Sequence, residues 1–531
     1  MPSNPQRDAE LFRLQEKQTK FETERTALFH RIMKLNHQIG QVQAEYGAVY
    51  NEPAPLLTLS TEVTCLIFDF TVAAGFTTAR QALADQEDKR KFFPEVVVSQ
   101  VCHQWRSISL AYPALWARFC YDSPHASRVP LYRLDAYLER SASQPLELWF
   151  NFRGSEDREW TVDGHLALLR RSIPAITRWK CFTVLSDPTT PVDALLSEIA
   201  SLSAQNLEHF VFCPGVEADT DDSSASSVED VVIEKDFETT IFKNGTPKLK
   251  SLTLDCSYKC LPPLSNITTL RLEAPNSGLG MVLSWGAFRN VLSISSLENL
   301  SLVGPVLENH YHRMKLITMN SLKNLRFGNL KLLWLPFLRA PLLATLIIRK
   351  CWIDSLFGYD QVLKSEPYAF PTLRSLCLIR TTAQSFQIAH HLAQMTELAT
   401  DIVFSQENGT NRFSSLVLNH EDSRSETYWT QAVQITFNSY VLDFRQIIHF
   451  VKARRMNNMT LRINQLSEYQ WRGPPSLEFE ECKELSKICT LEILDDKTID
   501  KALWKMHWQF GGNQLGCPMD DDSEGLFAVR E

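Results

Sequence analysis

Leu249-Lys250-Ser251-Leu252-Thr253-Leu254 is the stretch that decides the fold. Leu252 and Leu254 alternate with polar residues, as a strand does when one face is buried, and Leu249 stands three residues ahead of them. The same apolar-x-x-apolar-x-apolar unit returns along the chain. It occurs at Leu207/Phe210/Phe212, Ile267/Leu270/Leu272, Leu297/Leu300/Leu302 and Leu322/Leu325/Phe327. It occurs again at Leu343/Leu346/Ile348, Leu373/Leu376/Leu378, Phe413/Leu416/Leu418 and Ile488/Leu491/Ile493. Most spacings lie near or somewhat above roughly 20–29 residues, room for one strand and one return. No such unit hides its apolar face alone, so the strands are expected to stack into one parallel sheet with a shared core. The alternative is a non-repeat α/β domain around a parallel sheet.

Outward from this stretch, strand and helix keep alternating. Leu146, Leu148, Phe150 and Phe152 alternate as a strand, followed by a helix with Leu166, Leu169 and Ile173 and a strand near 179–185. A helix carrying Leu195, Leu196, Ile199 and Leu202 precedes the strand at Leu207. Further strands are expected within 428–437 and 459–463, with a helix over 445–455 and a turn at Trp471-Arg472-Gly473-Pro474-Pro475. Trp504 and Trp508 would share one helix face. The array is thus expected over 146–510, followed by a loose tail, 511–531. Residues 217–238 interrupt it with acidic and serine residues, a composition that favours disorder. Thr253, Arg271, Ser301, Arg326, Ile347 and Cys377 lie between the paired apolar residues. They are expected on the open face of the sheet, as candidate target-binding positions.

Residues 1–50 read as one long helix. Leu14, Phe21, Leu28, Leu35, Val42 and Val49 recur every seven residues, interleaved with Leu11, Gln18, Arg25, Ile32, Ile39 and Tyr46. This 3-4 alternation marks a left-handed coiled coil. At ~1.5 Å per residue it would be about 60 Å long. Residues 8–50 are therefore a candidate for homodimerisation or for pairing with a partner helix. Residues 51–55, Asn51-Glu52-Pro53-Ala54-Pro55, break the helix and form a short stiff linker.

Residues 56–120 carry a second apolar unit. Ser60 or Thr61 can cap a helix whose apolar residues are Val63, Leu66, Ile67 and Phe70. Pro94 suits the first turn of another helix, with Val98, Val101, Cys102, Trp105 and Ile108 on one face. Pro113 ends it, and Leu115-Trp116 begin a last turn. Three short helices are too small to bury this much apolar surface alone. The charged stretch 77–93 reads as a solvated excursion. Over 121–145 a helical bridge follows, with Leu131, Leu134 and Leu138 inward, then a Ser-rich turn.

At these residues the chain resembles an F-box of the type common in fungal families. Leu59, Glu62 and Val63 match the start of that motif, Ile67-Phe68 its middle, Val101-Cys102 and Trp105-Arg106 its second helix, and Pro113-Ala114-Leu115-Trp116 its ending. Ser60 stands where the family has proline, and 71–93 is longer than the minimal loop. The downstream array resembles the irregular leucine-rich repeats that follow many F-boxes. The asparagine or cysteine of the regular repeat is matched only by Cys351; Ser257, Pro275, Pro305 and Thr381 stand elsewhere. Without that internal ladder, uneven curvature is expected.

The resemblance implies a substrate-recognition subunit of a Skp1–cullin–F-box ubiquitin ligase. Leu59, Ser60, Val63, Ile67, Val101, Trp105, Leu115 and Trp116 would dock on the Skp1-type adaptor, and through it on a cullin. The repeat array would hold an unknown protein target, and the chain would supply no catalytic residue. The alternative is a non-ligase coiled-coil and repeat scaffold whose F-box-like helices cap the array. A third reading is an α/β enzyme with a site that leaves no linear motif.

Composition narrows these classes. The 531 residues carry a net charge of −8 and are 44% hydrophobic, giving no reason to expect nucleic-acid or anionic-membrane binding. No run approaches the ~20 apolar residues of a membrane span, and the N-terminus has no signal-peptide apolar core. The twelve cysteines are scattered, as reduced thiols of a cytoplasmic or nuclear protein would be. His310, His312, His390, His391, Cys256 and Cys260 lack neighbours at metal-ligand spacing, so no metal or cofactor is expected. There is no phosphate-binding glycine loop, nucleophile elbow or zincin helix.

Overall fold

The computed structural model describes residues 5–51, 55–84, 93–122, 130–152, 159–186, 193–213, 232–233, 238–255, 261–273, 282–304, 306–307, 316–329, 332, 334–353, 369–383, 386–406, 429–439, 444–453, 459–464 and 477–494. The chain divides into two compact units, Met1–Trp116 and Ala117–Glu531.

In the first unit, α1 runs over Pro5–Asn51, 47 residues without a break. A one-turn 3-10 helix, Pro55–Thr58, precedes α2, Thr61–Ala84. The helix expected from Pro94 onward is in fact two: α3, Pro94–Val98, and α4, His103–Leu110. The break has a local cause. Cys102 is extended (φ −156°, ψ 170°), and its Sγ accepts from the Trp105 N–H, capping α4. A 3-10 turn over Pro113–Trp116 closes the unit.

The second unit is built on a fourteen-stranded sheet. Its strands are β1 Arg118–Asp122, β2 Leu146–Asn151, β3 Trp179–Leu185, β4 His209–Cys213, β5 Ser251–Asp255, β6 Thr269–Glu273 and β7 Asn299–Val303. They continue as β8 Asn324–Gly328, β9 Thr345–Arg349, β10 Ser375–Ile379, β11 Asp401–Gln406, β12 Gln434–Ser439, β13 Thr460–Asn464 and β14 Thr490–Leu494. All pairings are parallel, and spatial order equals chain order. Each strand is therefore laid beside the one before it. The sheet begins at Arg118, inside the expected F-box segment and ahead of the bridge and of residue 146. Residues 123–129 of that bridge lie outside the described residues.

The repeat is visible in the backbone. Lys250 O accepts from the N–H of both Thr268 and Thr269, Thr268 O from Glu298 and Asn299, and Glu298 O from Lys323 and Asn324. The same fork recurs at Lys323, Ala344, Arg374 and Thr400. At the other strand end, Gly304, Asn329, Lys350 and Arg380 each follow their strand directly with φ between 49° and 79°. Their N–H groups donate to Gly328, Arg349, Ile379 and Ser405 of the next strand. A left-handed residue there costs a non-glycine side chain roughly 1 kcal/mol, and the repeated hydrogen bond offsets it.

One face of the sheet holds the main core. The paired apolar residues of β4 to β9, from Phe210 and Phe212 to Leu346 and Ile348, are fully buried. Helices stand between many of the successive strands: α5 Leu131–Arg140, α6 Glu159–Ser172, α7 Asp193–Ile199 and α8 Trp285–Leu292. Three more follow: α9 Phe386–Met395, α10 Phe444–Ala453 and α11 Leu477–Ile488. Tyr137 of α5 meets Phe119 edge-on at 5.5 Å, and Trp334 bridges Phe288 of α8 and Phe327 of β8. The unit expected at Phe413/Leu416/Leu418 lies outside the described residues; the strand next to β10 is Asp401–Gln406, with Ile402 and Phe404 inward. Most of the acidic segment 217–238, the turn at 471–475 and everything after Leu494 also lie outside them.

Candidate docking surface

The three-helix part of the first unit separates into an inner and an outer set of side chains. On α2 the inward stripe is Thr64, Phe68 and Val72, at i, i+4 and i+8. Val98, Leu115 and Trp116 are the other buried large apolar side chains, and Pro94, Glu95, Ser99 and Ser109 are buried beside them. Trp116 Nε1 donates to the Ser109 carbonyl at 2.8 Å, so the indole is buried with its polar atom satisfied. Trp105 stacks edge-on against Phe68. Tyr112 donates its hydroxyl to Asp69 Oδ2 at 2.8 Å, and burial, then this bond, push its pKa up to about 12. Gln104 Nε2 donates to the Leu57 carbonyl, tying α4 to the entry turn.

Ser60 is the cap of α2. Its carbonyl accepts from the Thr64 N–H at 3.0 Å and its hydroxyl accepts weakly from Val63 N–H at 3.5 Å. The Ser60 hydroxyl and the Glu62 backbone N–H hold the Glu62 carboxyl below its ordinary value. A serine in this position thus starts the helix by side-chain capping, which a proline cannot do.

The outer set is apolar. Val63, Leu66 and Phe70 form a second stripe on α2, with Phe70 74% exposed. Leu56, Val97, Val101 and Leu110 are exposed as well. Among the expected docking residues, Ser60, Val63 and Val101 are exposed and Leu59, Ile67 and Trp105 are half-buried. Leu115 and Trp116 are buried, so they hold the unit together and are not open to a partner. Leu56, Leu66, Phe70, Val97 and Leu110 were not expected as docking positions. For Leu66 and Phe70 the signal was the period of α2, which places Phe68 inside and leaves these two outside.

The expected target-binding row requires a correction. Thr253, Arg271, Ser301, Arg326, Ile347 and Cys377 do share one face of the sheet, and their strands are in register. They are not an open surface: all six are at most 4% exposed. Val303, Ile347, Cys377, Ile379 and Val403 pack into a cluster of their own, a second core on that face. Arg326 Nε donates to Ser301 Oγ at 2.6 Å within it. Burial raises the Cys377 thiol to about 12, which keeps it protonated and unreactive. Nearby, Asn324 Nδ2 donates to Asn299 Oδ1, and Asn299 Nδ2 donates to Thr269 Oγ1. This side-chain ladder stands at the first residue of each strand rather than at the position of the regular leucine-rich repeat.

His390 and His391 lie side by side on α9, while Cys256, Cys260, His310 and His312 fall outside the described residues. No group of three metal-binding side chains occurs among the described residues, and no described helix is long and apolar enough to cross a membrane. Cys65, Cys102, Cys377 and Cys489 form no disulfide. No family model matches the chain, and no curated protein matches it.

Proposed function

We propose that the chain is the substrate-recognition subunit of a Skp1–cullin–F-box ubiquitin ligase, with the three-helix unit as the F-box and the parallel array as an irregular leucine-rich-repeat domain. The observation that carries this reading is the division of labour on α2. A small unit with its own closed core, Phe68, Val72, Val98 and Trp116, still leaves Val63, Leu66, Phe70, Val97 and Val101 in water. Apolar side chains kept outside a completed core mark a surface for another protein. The F-box resemblance names the partner: a Skp1-type adaptor, and beyond it a cullin scaffold.

In this reading the chain supplies no catalytic residue. It acts by holding a target protein near the loaded conjugating enzyme, an effect of proximity. The target surface is not the row from Thr253 to Cys377 as it stands, because that row is closed. One observation favours the second reading, a non-ligase scaffold: the same closed row removes the array's most direct receptor surface. The test is co-purification of the full chain with a Skp1-type adaptor. A stoichiometric complex that Phe70→Asp and Val101→Asp each abolish, in variants that melt like the wild type, is the expected result. No complex from a folded full chain would leave the scaffold reading in its place.

A further inference from the structure

We infer that α1 is one strand of a parallel, in-register, two-stranded coiled coil formed with a second copy of this chain. The inference is independent of the ligase reading. Along α1 the apolar seam residues Leu11, Leu14, Phe21, Leu28, Ile32, Leu35, Ile39, Val42, Tyr46 and Val49 are 49–72% exposed. Among the described residues nothing covers this stripe, which runs for six heptads with Gln18 and Arg25 as its polar members. Apolar side chains in that number are removed from water only by another helix.

Three features name that helix. The first is the distribution of side-chain shapes. Leu11, Gln18, Arg25, Ile32, Ile39 and Tyr46 occupy one seam position, and Leu14, Phe21, Leu28, Leu35, Val42 and Val49 the other. Over residues 28–39 this places Ile32 and Ile39 at the first position and Leu28 and Leu35 at the second. β-branched residues at the first and leucine at the second favour a parallel pair over a trimer or tetramer.

The second is the fate of the polar seam residues. In a parallel, in-register pair Gln18 faces Gln18, and two amides can hydrogen-bond across the seam. Arg25 faces Arg25, but each is flanked by Glu24 of the second copy, which neutralises it. In the antiparallel pair with full overlap, Leu11 lies opposite Val49. Gln18 then faces Val42 and Arg25 faces Leu35, so both polar groups are buried against hydrocarbon, which is costly. The third is the flanking charge. The residue before each first seam position pairs with the residue after the next second position of the partner. Here that sets Lys17 against Glu22 of the second copy. The other flanking pairs, such as Glu10 with Gln15 and Arg31 with Asn36, contain no like-charged pair. In the single chain Lys17 lies over the Phe21 ring, and Gln18 Nε2 donates to Glu22 Oε1 at 3.0 Å; both groups stay at the seam edge.

Sedimentation equilibrium of the full chain tests the inference. At low micromolar concentration the expected mass is twice the 60.8 kDa of the chain. Leu28→Asp combined with Ile32→Asp is expected to return the chain mass, with the thermal melt of the second unit unchanged. Orientation is read by Val42→Cys, since no native cysteine precedes Cys65. Two Val42 positions meet only in the parallel, in-register pair. Mild oxidation should therefore crosslink this variant within minutes and leave the wild type uncrosslinked. Arg25→Glu should weaken the dimer about tenfold or more, and adding Glu24→Arg should recover most of the loss. A wild type that stays at the chain mass, or a dimer indifferent to the two aspartates, would overturn the inference. So would crosslinking of Gln18→Cys with Val42→Cys chains in place of Val42→Cys with itself.

Discussion

The indole of Trp105 stands edge-on to the ring of Phe68, with centroids 5.1 Å apart and planes at 72°. The contact joins α4 to the buried stripe of α2. It makes Trp105 first a packing residue, even though the motif it belongs to suggests docking. Trp105→Ala should therefore destabilise the three-helix unit by about 3–5 kcal/mol, and lose adaptor binding through that route. Phe70→Asp should lose adaptor binding with no comparable change in stability, because Phe70 has almost nothing to lose in the free chain. Chemical denaturation of both variants beside an adaptor pull-down separates the two effects. Equal destabilisation by both would refute the division into inner and outer sets.

His165 carries a pH dependence. Its ring stacks on Phe152 at 4.2 Å, and burial lowers its pKa to about 4. The unfolded chain, near the ordinary value of about 6.5, takes up the proton first. Stability from this group is thus fully present above about pH 6.5 and is lost as the pH falls towards about 4. The slope approaches 1.4 kcal/mol per pH unit, roughly, in the middle of that window. Urea titrations at pH 7 and pH 5 should show a steeper loss for the wild type than for His165→Phe. Parallel losses in the two proteins would mean that other groups set the acid limit.

Arg326 is completely buried, with its Nε on Ser301 Oγ. Arg326→Ala should lower stability by about 2–4 kcal/mol, combining lost packing with a lost charged hydrogen bond. Any loss of target binding in this variant should then track its unfolding. A variant that binds its target less well while melting like the wild type would show that the row is reached by a partner after all.

Asn299 links Thr269 and Asn324 across adjacent strands. It is buried, so its replacement by alanine leaves polar neighbours without their partner, at a cost of about 1–3 kcal/mol. Hydrogen exchange should show faster opening at β6, β7 and β8 than at β12 and β13. Uniform acceleration across the sheet would show that the ladder acts on the whole array instead.

Much of the chain was legible because short periods report directly on exposure. The spacing of Leu249, Leu252 and Leu254 marks a strand and its apolar face, and the structure places those three in the core. The heptads of 1–50 give a single unbroken helix for the same reason. The strand at 401–406 was missed because Asp401, Ser405 and Gln406 dilute its apolar signal; Ile402 and Phe404 face the main core and Val403 the second one. The sheet's first strand, Arg118–Asp122, was hidden because the segment 56–120 was extended past its last motif residue, Trp116.

The sequence by itself determined which elements form and which face of each strand is apolar, since alternation and periodicity are local properties of the chain. Only the tertiary structure decided what is open. The row from Thr253 to Cys377 has a polar-mixed composition that suits a solvated face, yet side-by-side register brings Val303, Ile347, Cys377 and Val403 together as a second core. Likewise Leu66 and Phe68 are equally apolar in the sequence. Only the packing of α3 and α4 against one side of α2 sends Phe68 inward and leaves Leu66 in water.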